Sequence, residues 1–219
     1  MQQLYFREMN NIFSITSSAR VINGIAKING EPFYKSTEEE ELHVYTKSLY
    51  RELDMRYPKF FKMDLSCKLA MIAGEMIWKE RDVRQLLQGD DIAIVLMNKA
   101  SSLDTDREFN RSITDFGDWF PSPAIFVYTL PNIMAGEICI KKNITGENAF
   151  FIFDEFDAGA LLDYVSEILA NDRAKACLCG WCDVDGGVAD AFFLLVEKDV
   201  PAGNLNFSVE NIDKLYNQK

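Results

Sequence analysis

Three groups of residues are of types that do chemistry. The first is the run Phe153-Asp154-Glu155-Phe156-Asp157-Ala158-Gly159, between the apolar stretch AFFIF and the amphipathic stretch GALLDYVSEILAND. A tight turn from a buried strand into a helix lifts one side chain above the sheet and points the free N–H groups of the helix at that spot. Enzymes use this geometry to present a nucleophile beside an oxyanion hole, and it is equally the ordinary βα loop of an α/β domain. Here the corner offers Glu155 and Phe156, with neither Cys nor Ser. A buried Glu155 near a helix N-terminus could orient a substrate or act as a base. Asp157 is placed to cap the following helix, and the plainest reading of Asp154, Glu155 and Asp157 is a solvated capping loop.

The second group is Cys177, Cys179 and Cys182, spaced C-x-C-x-x-C. A redox pair wants its first thiol at a helix N-terminus, and a closed zinc site wants a fourth ligand. These three lie in an apolar run that reads as a core strand, so packing is the expected role, with no metal or cofactor. The third is His43, the single histidine of the chain, expected as a surface or packing residue on a helix.

The elements that must position these groups read as one α/β domain, 1–219, without linker, repeat or low complexity. FSIT and RVING read as two short strands, with Asn29-Gly30 as a hairpin turn. Ser36 or Thr37 is expected to cap a helix over KSTEEEELHVYTKSLYRELD, with the Glu run in its first turn. Asp64 or Ser66 is expected to cap a core helix over KMDLSCKLAMIAGEMIWKE, where Leu65, Leu69, Ile72, Met76 and Ile77 recur at helical spacing. IAIVLMN is continuously apolar, the mark of a strand covered on both faces. A short helix is expected over Asp104–Phe116, a non-helical segment at Pro121–Pro123, and a helix through LPNIMAGEICIKKN that exits at Asn143 and Gly146. AKACLCGWC and AFFLLVEK follow as strands joined at DVDGG.

Composition narrows the function classes. Hydrophobic residues make up 48% and aromatics 12%, enough for a sizeable core, and the formal net charge is −11. That charge argues against a nucleic-acid surface, which needs clustered Lys and Arg. No run approaches the roughly 18 apolar residues of a membrane span. No export signal is visible, and five Cys then read as reduced thiols in the cytosol.

From roughly Met63 onward, through Asp91 to Lys198, the chain resembles the N-terminal half of the β-ketoacyl-acyl-carrier-protein synthases, a thiolase-like fold; the first sixty residues match less clearly. The resemblance is carried by KMDLSCKLAMIAGEMIWK, IAIVLMNKASSLDTD, PSPAIFVYTLPNIMAGEICIKKNITGEN, the strand and corner, and EILANDRAKACLCGWCDVD. Thr129-Leu130-Pro131-Asn132 and Gly146-Glu147-Asn148 are similar to a subgroup of small synthase-like proteins of aryl-polyene or flexirubin pigment assembly. The resemblance implies a layered mixed β-sheet covered by helices. It also implies acyl-thioester chemistry with no cofactor, and as partners an acyl-carrier protein or a catalytic ketoacyl synthase. Alignment on Gly159 puts Phe156 at the family's nucleophilic Cys, and a shift of one residue puts Glu155 there. Neither forms a thioester, and the family's electrophilic His partners, from its C-terminal half, have no counterpart. The expected function is therefore a non-catalytic, chain-length-factor-like subunit; the alternative is a decarboxylase or hydrolase of acyl or malonyl thioesters that uses Glu155. The resemblance further implies a homo- or heterodimer through the AFFIF strand. Lys141, Lys142, Arg173 and Lys175 are the candidate docking cations for an acidic carrier protein.

Overall fold

The computed structural model describes residues 13–36, 40–114, 120–200 and 205–218. In chain order the elements are β1 (Phe13–Ile22), β2 (Ile25–Ile28), β3 (Glu31–Lys35), α1 (Leu42–Glu52), α2 (Leu65–Glu80), β4 (Ile92–Asn98), α3 (Leu103–Thr114), α4 (Pro123–Phe126) and α5 (Ile133–Lys142). They continue with β5 (Asn148–Ile152), α6 (Ala158–Ala170), β6 (Ala176–Asp185), β7 (Val188–Lys198), β8 (Leu205–Asn206) and α7 (Val209–Tyr216). Among the described residues all strands join one sheet in the order β3-β2-β1-β7-β6-β4-β5, with β8 paired to β1. β4 runs parallel to β5 and β6, and the other pairings are antiparallel.

The sheet separates two apolar layers. Ile92, Ile94 and Leu96 of β4 face a layer with Leu69, Ile72 and Met76 of α2. Ala93, Val95 and Met97 face the other layer, with Leu161, Val165 and Ile168 of α6 and Ile212 of α7. Every residue of β4 is buried, as its unbroken apolar run requires. α2 starts where Asp64 accepts from the Cys67 N–H at 2.8 Å, and α6 where Asp157 accepts from Ala160 N–H at 2.9 Å. α5 ends on Asn143 in the left-handed conformation (φ +54°).

Four expectations need correction. FSIT and RVING are one strand, β1, whose register against β7 slips between Ile15 and Ser17; the extra residue, Thr16, is a bulge. α1 begins later than read: its N-cap is Glu41, without a side-chain cap, and no acidic residue lies in its first turn. Glu40 and Glu41 therefore precede the helix, and Thr37, Glu38 and Glu39 fall outside the described residues. Pro123 opens α4 instead of preventing a helix, because Ser122 caps it and proline at the first turn gives up an N–H that has no helical partner. The helix expected over Asp104–Phe116 is α3, starting one residue earlier; Asp115 and Phe116 lie outside the described residues.

Candidate functional site

The corner after β5 is held from three directions. Phe153 N–H donates to Asn98 O at 3.0 Å, which ties the corner to the end of β4. Asn98, fully buried, also closes the turn after β4: its Nδ2 donates to Ser101 O at 2.8 Å, and Ser101 N–H donates to its Oδ1 at 3.0 Å. Asp157 holds the far side by capping α6.

Glu155 and Phe156 face different surroundings. Glu155 is exposed and makes no hydrogen bond or ion pair among the described residues, so the buried base that the corner could have held is not formed. Its open groove, of about 450 Å³, is lined by Asp154, Asp157, Val209 and Asp213 as well, and no Lys or Arg is among the described lining. Phe156, partly buried, also lines this groove and packs its ring against the sheet and α7. Its ring lies 4.3 Å from that of Tyr216, 5.6 Å from Phe192 and 6.2 Å from Trp181, the last two edge-on. Such tilted and edge-to-face pairs are the favoured aromatic arrangements.

A charged network locks this aromatic cluster. Arg20 of β1 is ion-paired to Asp190 of β7. Arg20 Nη1 also donates to Ala191 O at 3.0 Å and Nε to Tyr216 O at 3.1 Å, and its guanidinium sits 4.6 Å from the Tyr216 ring centroid. Tyr216 Oη donates to Asp190 Oδ2 at 2.8 Å. Burial first, and that hydrogen bond second, push the Tyr216 hydroxyl well above the ordinary phenol range. α7 is thereby fixed over the corner, with Phe156 beneath it. Sequence reading missed α7, Arg20 and Tyr216. The available signal was a lone Arg in the apolar strand ARVI, a charge that needs a partner when buried.

The other candidates are placed elsewhere. Cys177 and Cys179 face the α6 side of β6 and Cys182 faces the α2 side, so the three thiols cannot converge on one ion. All five Cys are free, and burial pushes the thiols of Cys67, Cys177 and Cys182 far up, away from reactive thiolate. His43 is half exposed on α1, with Nδ1 3.0 Å from Glu41 Oε2, on the face of the sheet opposite the corner. The expected docking cations are not free. Lys141 and Lys142 both pair with Glu75 at 2.7 and 2.6 Å, Arg173 with Glu147 and Glu167, and Lys175 with Asp91. All four also precede β5 or β6, whereas the corner follows β5, so they lie at the opposite end of the parallel strands.

Comparison with solved structures decides the family of folds. The ishigamide ketosynthase/chain length factor superposes with TM-score 0.62 at 16% identity, over 88% of this chain and 64% of that one. The fold is that of the ketosynthases. A type II polyketide synthase ketosynthase, solved with its acyl-carrier protein and bound to the hexaketide, gives TM-score 0.59 at 12% identity, over 86% of this chain and 63% of that one. The ketosynthase ApeO in complex with its chain length factor ApeC from Xenorhabdus doucetiae gives TM-score 0.56 at 14% identity, over 94% of this chain and 90% of that one. The chain thus spans less than two thirds of the first two structures. No protein-family model and no curated protein matches it. The layered mixed sheet and thiolase-like architecture expected from the resemblance are what the ketosynthase fold provides. Among the described residues no single helix is long and apolar enough to cross a membrane; Pro123–Thr129, which continues α4 by one 3-10 turn, and α5 reach that length only together, across a 102° bend.

Proposed function

We propose that this chain is a synthase-like subunit without acyl-transfer chemistry of its own: a chain-length-factor-like partner of a catalytic ketosynthase in a cytoplasmic pathway of the fatty-acid or polyketide type, of which aryl-polyene assembly is the example its sequence resembles. The observation that carries the reading is Phe156. The resemblance assigns its position to the nucleophilic Cys, and in the fold it is an aromatic ring packed under Tyr216 against Trp181 and Phe192. A side chain in that place has no leaving proton and no lone pair to attack a thioester. The position one residue earlier, Glu155, projects into solvent.

The partner surface in this reading is the free edge of β5. Among the described residues β5 pairs only with β4, and Ile152 at its end is 55% exposed. An unpaired apolar edge is a template for another strand, and pairing with a like edge across a two-fold axis would close it. The acidic rim of the corner, Asp154, Glu155, Asp157 and Asp213, favours a ketosynthase over an acidic carrier protein as the direct partner, because like charges repel. The alternative, a thioester decarboxylase or hydrolase built on Glu155, is supported by the open groove alone.

Light scattering on the chain, alone and mixed with the type II ketosynthases of its own host, tests the reading. The expected particle is twice the 25.0 kDa of one chain, or a one-to-one complex with a ketosynthase, and Ile152→Lys returns both to monomers. A wild-type monomer that binds no ketosynthase contradicts it.

A further inference from the structure

A second cavity, of about 620 Å³, lies on the α2 side of the sheet, opposite to Phe156, and the proposed function does not use it. Two tight turns shape its mouth. One is Asn23-Gly24, with φ +50° and +73°; the other is Gly186-Gly187, with φ +58° and +84°, of which Gly187 lines the cavity. Paired positive φ values give the tight hairpin turns that Asn and Gly favour. Ile22, Ile25, Leu42 and Val188 supply an apolar wall.

Two residues of the lining each carry a polar atom without a hydrogen-bond partner among the described residues. Tyr45 is 3% exposed, and its hydroxyl is buried without a hydrogen bond. Glu40 Oε2 is likewise buried without one. The two groups sense each other: after burial and Tyr34, the Glu40 carboxylate is the third influence that pushes the Tyr45 hydroxyl above the ordinary phenol range. Tyr45 therefore keeps its proton and can donate, and a carboxylate oxygen such as Glu40 Oε2 accepts. Buried polar groups in native proteins are nearly always satisfied, and an apolar pocket with a few convergent polar groups is the usual form of a small-molecule site.

We propose that this cavity binds a small uncharged alcohol with an apolar body, whose hydroxyl accepts from Tyr45 Oη and donates to Glu40 Oε2 while the body lies on the wall of Ile22, Ile25, Leu42 and Val188. A hydroxyl meets both demands at once. An ammonium group leaves the Tyr45 proton unpaired; a carboxylate, although Lys35 also lines the cavity, has no proton to give Glu40 Oε2. The cavity shares no lining residue with the groove at the corner or with the free edge of β5.

Titration of the full chain with 2-naphthol, followed by amide ¹H–¹⁵N spectra, tests it. Saturable shifts are expected at Gly24, Gly187 and Leu42. 2-Methoxynaphthalene, which keeps the rings but cannot donate to Glu40, should bind roughly 10-fold more weakly, and Tyr45→Phe should weaken 2-naphthol by a similar factor. The proposal is overturned if the ether binds as tightly as the alcohol, if the Phe variant binds like wild type, or if no shift appears up to the solubility of 2-naphthol. In that last case water alone satisfies Tyr45 and Glu40. The ether comparison needs only the wild-type chain, so it stands even if the variant fails to fold.

Discussion

Arg20→Met is expected to destabilise the chain by about 3 kcal/mol and to release α7 from the corner, because removing one member of a largely buried ion pair leaves the other charge, on the partly exposed Asp190, uncompensated. Arg20 is 8% exposed and serves Asp190, Ala191 O and Tyr216 O together. Methionine keeps most of the volume but offers no donor. Asp190 would retain only the Tyr216 hydroxyl, and the α7 backbone would lose its tie to β1. Urea unfolding gives the stability change. Hydrogen exchange over Val209–Tyr216 gives the local one, which should rise more than exchange in β4. The double variant Arg20→Met/Asp190→Asn should recover part of the loss, since it removes the orphaned charge. A loss below about 1 kcal/mol, with α7 still protected, would mean that the network does not hold the helix down.

Gly180→Ala is expected to be the most damaging single methyl group in the molecule. Gly180 lies in the middle of β6 at φ +149°, and a Cβ there would stand 2.0 Å from Phe192 O. The backbone on both sides is locked in the sheet, since Gly180 opposes Phe193 and Trp181 opposes Phe192. Relief requires β6 and β7 to part where Trp181 and Phe192 grip Phe156. The expected cost is more than about 4 kcal/mol, in the range reserved for strain at a special backbone position. Gly136→Ala in α5 is the matched control. A Cβ there meets nothing within 4 Å, so alanine should stabilise the helix by roughly 0.5–1 kcal/mol. Thermal melts of the two variants separate these outcomes; similar melting temperatures would contradict the assignment of Gly180 as a close-approach position.

What could be read in the sequence follows from distance along the chain. β4, α2 and α6 were legible because each announces itself locally: six buried apolar residues in a row, an apolar stripe behind Asp64, an N-cap at Asp157. The β6–β7 hairpin was legible from two apolar runs around Gly186-Gly187. α7 was not, because VENIDKLY is short and half polar, and its helix is worth forming only where Ile212, Leu215 and Tyr216 meet the sheet. The corner itself was visible as strand, turn and helix. What fills it was not, because Phe156 is held by Trp181, Phe192 and Tyr216, and the lock on Tyr216 comes from Arg20 near the other end of the chain. The docking cations failed for the same reason. Lys141 and Lys142 look free in sequence, and only the packing of α5 on α2 brings Glu75 between them.

The central claim is that the corner of this ketosynthase fold carries a seated phenylalanine and no nucleophile. Intact-protein mass spectrometry after incubation with acyl- and malonyl-loaded carrier protein tests it most directly, with released carbon dioxide followed in the same sample. An unchanged mass and no release above the carrier-protein blank are the predicted result. A covalent acyl adduct, or carbon dioxide release that Glu155→Gln abolishes, would contradict the account and make the corner an active site.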